Sequence, residues 1–298
     1  MAQVLTARPA TPEFWAVDKI ILAYFALSTI PILGWWNQIP DAWFYFTWHL
    51  VAVGLLILEV KFPNPTSWVF RNWYMVFYVA TCYREMALFI TAIRRSDADR
   101  WLADLDFAVW RANPTVWLER VYSPVLTEFL QLVYTLFIPA VLLVAWLLWR
   151  RGKFAEFQYY AFLIALGFLV SYVGYLIVPA RGPRFLLKHL HQTPLQGLWL
   201  FQSMQATLDR LETAHYDCFP SGHTELTILA WWGSRMVSNR FYKAYFAYTP
   251  LIIFATVYLR YHYSVDVLAG AVVAIGLILA APVLYQKLSK GGIAIAGR

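Results

Sequence analysis

Long apolar stretches separated by short polar breaks dominate the chain. Eight stand out, at residues 19–36, 41–62, 71–93, 122–149, 157–178, 221–237, 244–259 and 265–285. About 20 mainly apolar residues suffice to cross a bilayer core as a helix. The pattern therefore predicts an all-α, polytopic membrane helical bundle with about eight transmembrane helices, read as a single membrane domain over residues 1–298. The sixth and seventh stretches are the shortest. Segment 94–121 breaks the pattern by mixing charges with Trp101, Trp110 and Trp117. That mixture suits an interfacial loop segment with aromatic anchors at headgroup depth, and equally an ordinary soluble loop.

Composition sharpens this picture. The chain is 60% hydrophobic and 14% charged, against about 25% charged in a typical soluble domain. The net charge of +7 is spread among loops and forms no dense basic stripe, so no nucleic-acid partner is expected. Membrane lipids are the expected surroundings. Cys82 and Cys218 are too few and too far apart for a disulfide framework. The first residues, MAQVLTARPATPEFW, lack a basic-then-apolar layout, so no cleaved signal peptide is expected.

The basic residues do indicate an orientation. Arg150, Arg151 and Lys153 form one acid-poor cluster; Arg235, Arg240 and Lys243 form a second; Lys287, Lys290 and Arg298 close the chain. The positive-inside rule places all three in the cytoplasm, and with them both termini. Segments 94–121, 179–220 and 260–264 then share the outer face, where Asp97, Asp99, Asp104, Asp106, Asp209, Glu212 and Asp217 dilute the basic residues. The compact loops suit a bacterial inner membrane.

Three polar motifs fall on that outer face: VPARGPRF with Arg181 and Arg184, CFPSGHTE at 218–225, and YLRYHYSVD with Arg260, His262 and Asp266. Pro220 suits a helix start. Ser221 and Gly222 would then offer N-terminal N–H groups to an anion. Arg181, Arg184 or Arg260 could add planar forks for phosphate oxygens. His262 and Asp266 are four apart and share a helix face. A carboxylate on one ring nitrogen leaves the other free to attack phosphorus. His223 could protonate a leaving oxygen. This phosphoryl-transfer set needs no cofactor. Three-ligand zinc binding by the two histidines and Asp266 is the competing reading, and the neighbouring arginines oppose it.

PSGH followed by HYSVD resembles the type 2 phosphatidic acid phosphatase superfamily, over roughly residues 160 to 285, with a catalytic core at 157–285. The resemblance implies His262 as a nucleophile forming a phosphohistidine, Asp266 as its orienter and His223 as general acid. It implies phosphate contacts from Ser221 and Gly222. The chain departs from the pattern twice. Ile177 and Gly174 stand where a lysine is expected before the arginines, and Thr256 stands where an arginine is expected before the nucleophile. In this the chain is similar to the branch containing inositol phosphorylceramide synthases and sphingomyelin synthases.

The expected activity is therefore cleavage of a phosphoester in a lipid phosphate or phospholipid. Transfer of the headgroup to a lipid alcohol acceptor is the close alternative. A non-catalytic lipid-phosphate transporter is the alternative from another class. His49, Glu59, Arg84, Glu85 and Glu128 lie within apolar stretches, where charges are costly and need a partner or a cavity. An Arg84–Glu128 ion pair is one expectation, and a pocket for an acceptor headgroup the other. Glu225 is expected to point away from the site, and Cys218 to be a small interfacial residue.

Overall fold

The computed structural model describes residues 13–62, 67–93, 97–211 and 216–289. Lys290, Arg298, Glu212, positions 94–96 of the interfacial segment and the N-terminal stretch through residue 12 lie outside the described residues. The protein is all-helical. The N-terminal unit is α1 (Ala16–Gly34), α2 (Ala42–Lys61) and α3 (Trp68–Ile93). Then come α4 (Asp99–Trp110), α5 (Pro114–Trp117), α6 (Pro124–Thr135), α7 (Phe137–Arg150) and α8 (Phe154–Ile177). The rest comprises α9 (Pro183–Leu186), α10 (Phe201–Leu211), α11 (Gly222–Ser234), α12 (Asn239–Tyr258) and α13 (Ser264–Leu288). Among the described residues the only extended pairing is an isolated bridge between Ala180 and Asp217.

Five helices, α1, α2, α3, α8 and α13, are long and apolar enough to cross a membrane, which makes this a multi-pass membrane protein. α6 and α7 form a sixth span if their 41° bend counts as one broken helix. Pro139 accounts for that break, because it cannot donate to the carbonyl four residues back. The remaining two of the eight expected spans are helical, but one is too short and the other too polar to join that set. α11 has 13 residues, about 20 Å at 1.5 Å per residue against a core of about 30 Å. α12 has 20 residues but carries Arg240, Lys243 and a run of tyrosines. α11 lies inside the bundle, packed on α7, α8, α12 and α13. Its buried Thr224, Glu225 and Thr227 escape lipid through that packing.

The N-terminal unit is held by buried polar contacts. Arg71 bonds to Asp18, which also accepts from Tyr74. His49 Nε2 lies 2.6 Å from Glu85, and Thr29 Oγ1 is 2.8 Å from His49 Nδ1. At one end of the bundle Arg151 donates to the Val237 carbonyl and Lys153 to that of Met236, at 2.9 and 2.7 Å. The loops carrying two of the basic clusters therefore meet there. α8 leaves that end and α11 returns to it, so the C-terminus of α8 and the N-terminus of α11 lie together at the other end, with the three polar motifs.

Candidate active site

The loops that carry the three motifs are organised by α4. Asp99 accepts N–H bonds from Arg181 and Gly182, both at 2.7 Å, and the Tyr263 hydroxyl at 2.9 Å. Two turns on, Asp106 accepts from Ser264 N, Ser264 Oγ and Val265 N at 3.0, 2.8 and 2.9 Å. Seven residues apart, the two carboxylates share a helix face. One clamps the Arg181–Gly182 turn, and the other sits on the N-terminus of α13, where a negative group is favoured. Burial raises both carboxyls above the usual range, and their backbone N–H bonds oppose that rise. Read by composition alone, these acids were diluting charges. Segment 94–121 thus contains a helix that scaffolds the motifs, with Trp101, Trp110 and Trp117 exposed on it and just beyond it. Asp106→Ala is expected to lower stability by about 1–2 kcal/mol, the cost of losing a helix cap. A fall in Tm of the purified protein checks it.

Gly182 has φ +99°, and a methyl group there would lie 2.6 Å from the Tyr261 carbonyl oxygen. The turn therefore needs glycine, for conformation and for space. It sets Arg184 N–H on the Arg260 carbonyl at 3.1 Å, joining the first motif to the third.

His262 lies just outside α13, one residue before its N-cap Tyr263, and is buried. Its Nδ1 lies 3.1 Å from Asp266 Oδ1. Asp266 Oδ2 accepts from Tyr263 N–H at 3.0 Å and from the Cys218 thiol at 2.7 Å. Such a carboxylate favours the Nδ1–H tautomer and leaves Nε2 as the available lone pair. His223 Nδ1 lies 3.2 Å from that Nε2. The His223 ring stacks on Tyr134 and leans on Phe137, with centroids 4.5 Å away in each case. Residues from two distant stretches thus form one chain of contacts, Asp266–His262–His223.

α11 starts at Gly222, with Ser221 as N-cap accepting from Thr224 N–H at 3.3 Å. Pro220 therefore precedes the cap and is not the first helical residue. Ser221 N–H donates to the Asp266 carbonyl at 3.1 Å, so it is committed to the protein. Gly222 and His223 occupy the first two helical positions, whose N–H groups have no intrahelical acceptor. Those two, rather than Ser221, suit an anion.

Cys218, expected to be a small interfacial residue, is buried against the site. Burial and Asp266 push its thiol well above its ordinary pKa, so it stays protonated and donates. Cys218→Ala is expected to lower kcat about tenfold by removing a bond to a charged acceptor, and Cys218→Ser to restore most of it. Steady-state kinetics of both variants decide this. Cys218, His262 and Asp266 also bring three possible metal-ligand atoms within 4.8 Å of one another. A metal ion there would have to displace the thiol proton and the Nδ1 proton.

A cavity of about 470 Å³ opens on the histidine pair and is lined by Gly222, His223, His262, Arg181 and Arg184. Arg181 lies over Phe185, 4.3 Å from the ring centroid, and Arg184 donates to Asp209 at 2.7 Å. Ser221 and Arg260 are not among the lining residues. Arg260 has φ +66° at the end of α12, and its guanidinium bonds to Glu119 and the Thr193 carbonyl at 2.8 and 2.7 Å. It is held away from the cavity. Thr256, at the position of the expected arginine, is buried with its hydroxyl on the Ile253 carbonyl at 2.7 Å.

Arg84 also lines the cavity. The Arg84–Glu128 pair does not form. Glu128 instead accepts N–H groups of Leu198, Trp199, Leu200 and Phe201 at 2.9, 3.3, 2.7 and 3.1 Å, capping α10. Four orphan donors at a helix start attract a carboxylate more strongly than one distant guanidinium. Glu225 points away from the histidines, accepting from Ser171 at 2.5 Å.

No curated protein and no solved structure matches the chain. A family model described as PAP2 superfamily matches residues 100–280. That match covers more than half of the chain and takes in all three motifs and Asp106, while Asp99 lies one residue before it. The chain belongs to the PAP2 superfamily.

Proposed function

We propose that the protein cleaves a lipid phosphoester through a phosphohistidine on His262. The contact chain Asp266–His262–His223 carries this reading, because it pairs an oriented nucleophilic nitrogen with a second imidazole beside a cavity lined by arginines. Nε2 of His262 forms a bond to phosphorus as the bond from phosphorus to the lipid oxygen breaks. Burial and the neighbouring His262 hold the His223 imidazole well below its usual pKa; the anionic phosphoryl group of the entering substrate raises it and supplies the proton, which His223 then gives to that oxygen. Water then attacks phosphorus, the P–N bond breaks, His223 takes a proton from the water, and phosphate leaves.

An in-line attack holds the reacting nitrogen about 3–3.5 Å from phosphorus. The acid stands about 2.6–3.2 Å from the leaving oxygen. Both cannot hold while the nitrogens are 3.2 Å apart. Substrate therefore replaces the His223–His262 contact, and the His223 ring turns away from His262 as the lipid enters. Arg181, Arg184 and the N–H groups of Gly222 and His223 are the proposed anion contacts, with Ser221 shaping the turn and Arg260 supporting the loop. No cofactor enters this scheme.

The basic clusters support a cytoplasmic location for both termini and an outer-face site, and the compact loops suit a bacterial inner membrane. Headgroup transfer is the second reading. It is favoured by Thr256 and Ile177, which stand where the phosphatase pattern has cations. The test supplies purified protein with a lipid phosphate or a phospholipid, with and without a lipid alcohol. Phosphate release supports hydrolysis, and a new headgroup lipid supports transfer. Lipid binding without turnover would support the transporter reading and sink both.

A further inference from the structure

The cavity has a wall that the family match does not include. Residues 100–280 match the superfamily, yet α3, which ends at Ile93, lines the cavity with Met75, Val76, Val79, Ala80, Tyr83 and Arg84. These positions fall at i, i+1, i+4, i+5, i+8 and i+9, which is one stripe of a helix with 3.6 residues per turn. The stripe is graded, with its first four residues apolar and its last two polar. Tyr83 donates to Asp217 at 2.6 Å, one residue before Cys218, so the polar end of the stripe is fastened beside the histidine pair. The Tyr172 hydroxyl donates to the Val79 carbonyl at 3.0 Å, fixing the apolar end against α8.

Arg84 is exposed, and among the described residues it makes no hydrogen bond or ion pair. A guanidinium within a spanning helix needs an anion or water, and this one faces the cavity that holds His262. The chain also lacks two cations of its family's pattern, with Ile177 or Gly174 at the lysine position and buried Thr256 at the arginine position, and Arg260 is turned to Glu119.

We propose that α3 is the substrate-recognition wall: Arg84 binds the substrate's phosphoryl group, and Met75, Val76, Val79 and Ala80 receive its hydrocarbon chain. The inference rests on the reading of the site as a lipid phosphoesterase. It makes the site composite, with a wall supplied from outside the family core. It also names the substrate class, an amphiphile whose chain descends along α3 from its phosphate.

The test uses the full-length protein in detergent, as wild type, Arg84→Ala, Arg84→Lys and Ala80→Trp. The substrates are a long-chain lipid monophosphate and p-nitrophenyl phosphate, with inorganic phosphate as a product inhibitor. Loss of a charge-assisted bond should lower kcat/KM for both substrates about 10- to 100-fold in Arg84→Ala. It should weaken inhibition by phosphate by about tenfold, and Arg84→Lys should recover part of each. Ala80→Trp should cut kcat/KM for the lipid at least about 30-fold more than for p-nitrophenyl phosphate, because it fills the space of the chain. Unchanged phosphate inhibition in Arg84→Ala overturns the headgroup half. Equal losses on both substrates in Ala80→Trp overturn the chain half. If wild type releases no phosphate, the functional reading fails. Binding of a fluorescent long-chain lipid phosphate, weakened by Arg84→Ala and Ala80→Trp, would still support the wall, and unweakened binding would overturn it.

Discussion

His262→Ala is expected to lower turnover of a lipid phosphate by about 10⁴-fold or more, leaving lipid binding within about threefold. The size follows from the role. A nucleophile that forms a covalent intermediate has no substitute in its pocket, because Asp266 is spent on Tyr263 N–H and the Cys218 thiol. The nearest other base, His223, stacks on Tyr134 and is aimed at the leaving oxygen. Binding survives because the arginines lining the cavity are untouched. A transporter that only holds the lipid would keep its activity in this variant. Phosphate release and lipid binding, measured on the same preparation, separate these outcomes.

Gly270→Ala is expected to cost about 100-fold in kcat with a small effect on KM. Gly270 is where α13 meets the start of α11: a methyl group there would lie 2.4 Å from the Ser221 carbonyl oxygen. The helix itself would tolerate alanine, so the clash must be relieved by moving α11 and α13 apart. Those two helix starts carry His223 and His262. A displacement near 1 Å between reacting groups is enough for a loss of about 10², and overpacking a tight contact destabilises by about 1–3 kcal/mol. Kinetics and a melting curve on one sample check both halves. Unchanged kcat would mean that the approach of the two helices does not set the geometry of the site.

Much of the architecture was legible as apolar runs, since a spanning helix needs little beyond length and hydrophobicity. Two of the runs hold helices outside the set of long apolar ones, for a physical reason. Segment 221–237 reads as a span because its centre, Leu226 to Trp232, is mainly apolar, but the helix stops at Ser234 and hides its polar residues in the bundle. At 244–259 the helix begins earlier, at Asn239, and so takes in charged residues.

The paired motifs pointed to His223, His262 and Asp266 through residue type and spacing. The supports were not legible. Asp99, Asp106 and Glu128 hold backbone N–H groups 70 to 159 positions away, and no local pattern encodes a partner at that distance. Arg84 looked like half of an ion pair, because a sequence shows a charge but not the cavity it faces. Arg260 sat in the right motif, yet its positive φ and Glu119 turn it elsewhere.

The most direct test of the account is to quench the protein during turnover of a ³²P-labelled lipid phosphate and map the label. The account predicts an acid-labile, base-stable phosphoryl group on His262, absent in His262→Ala and accumulating when the second step is slowed. Turnover with no label on any histidine, or label on His223 alone, would contradict it.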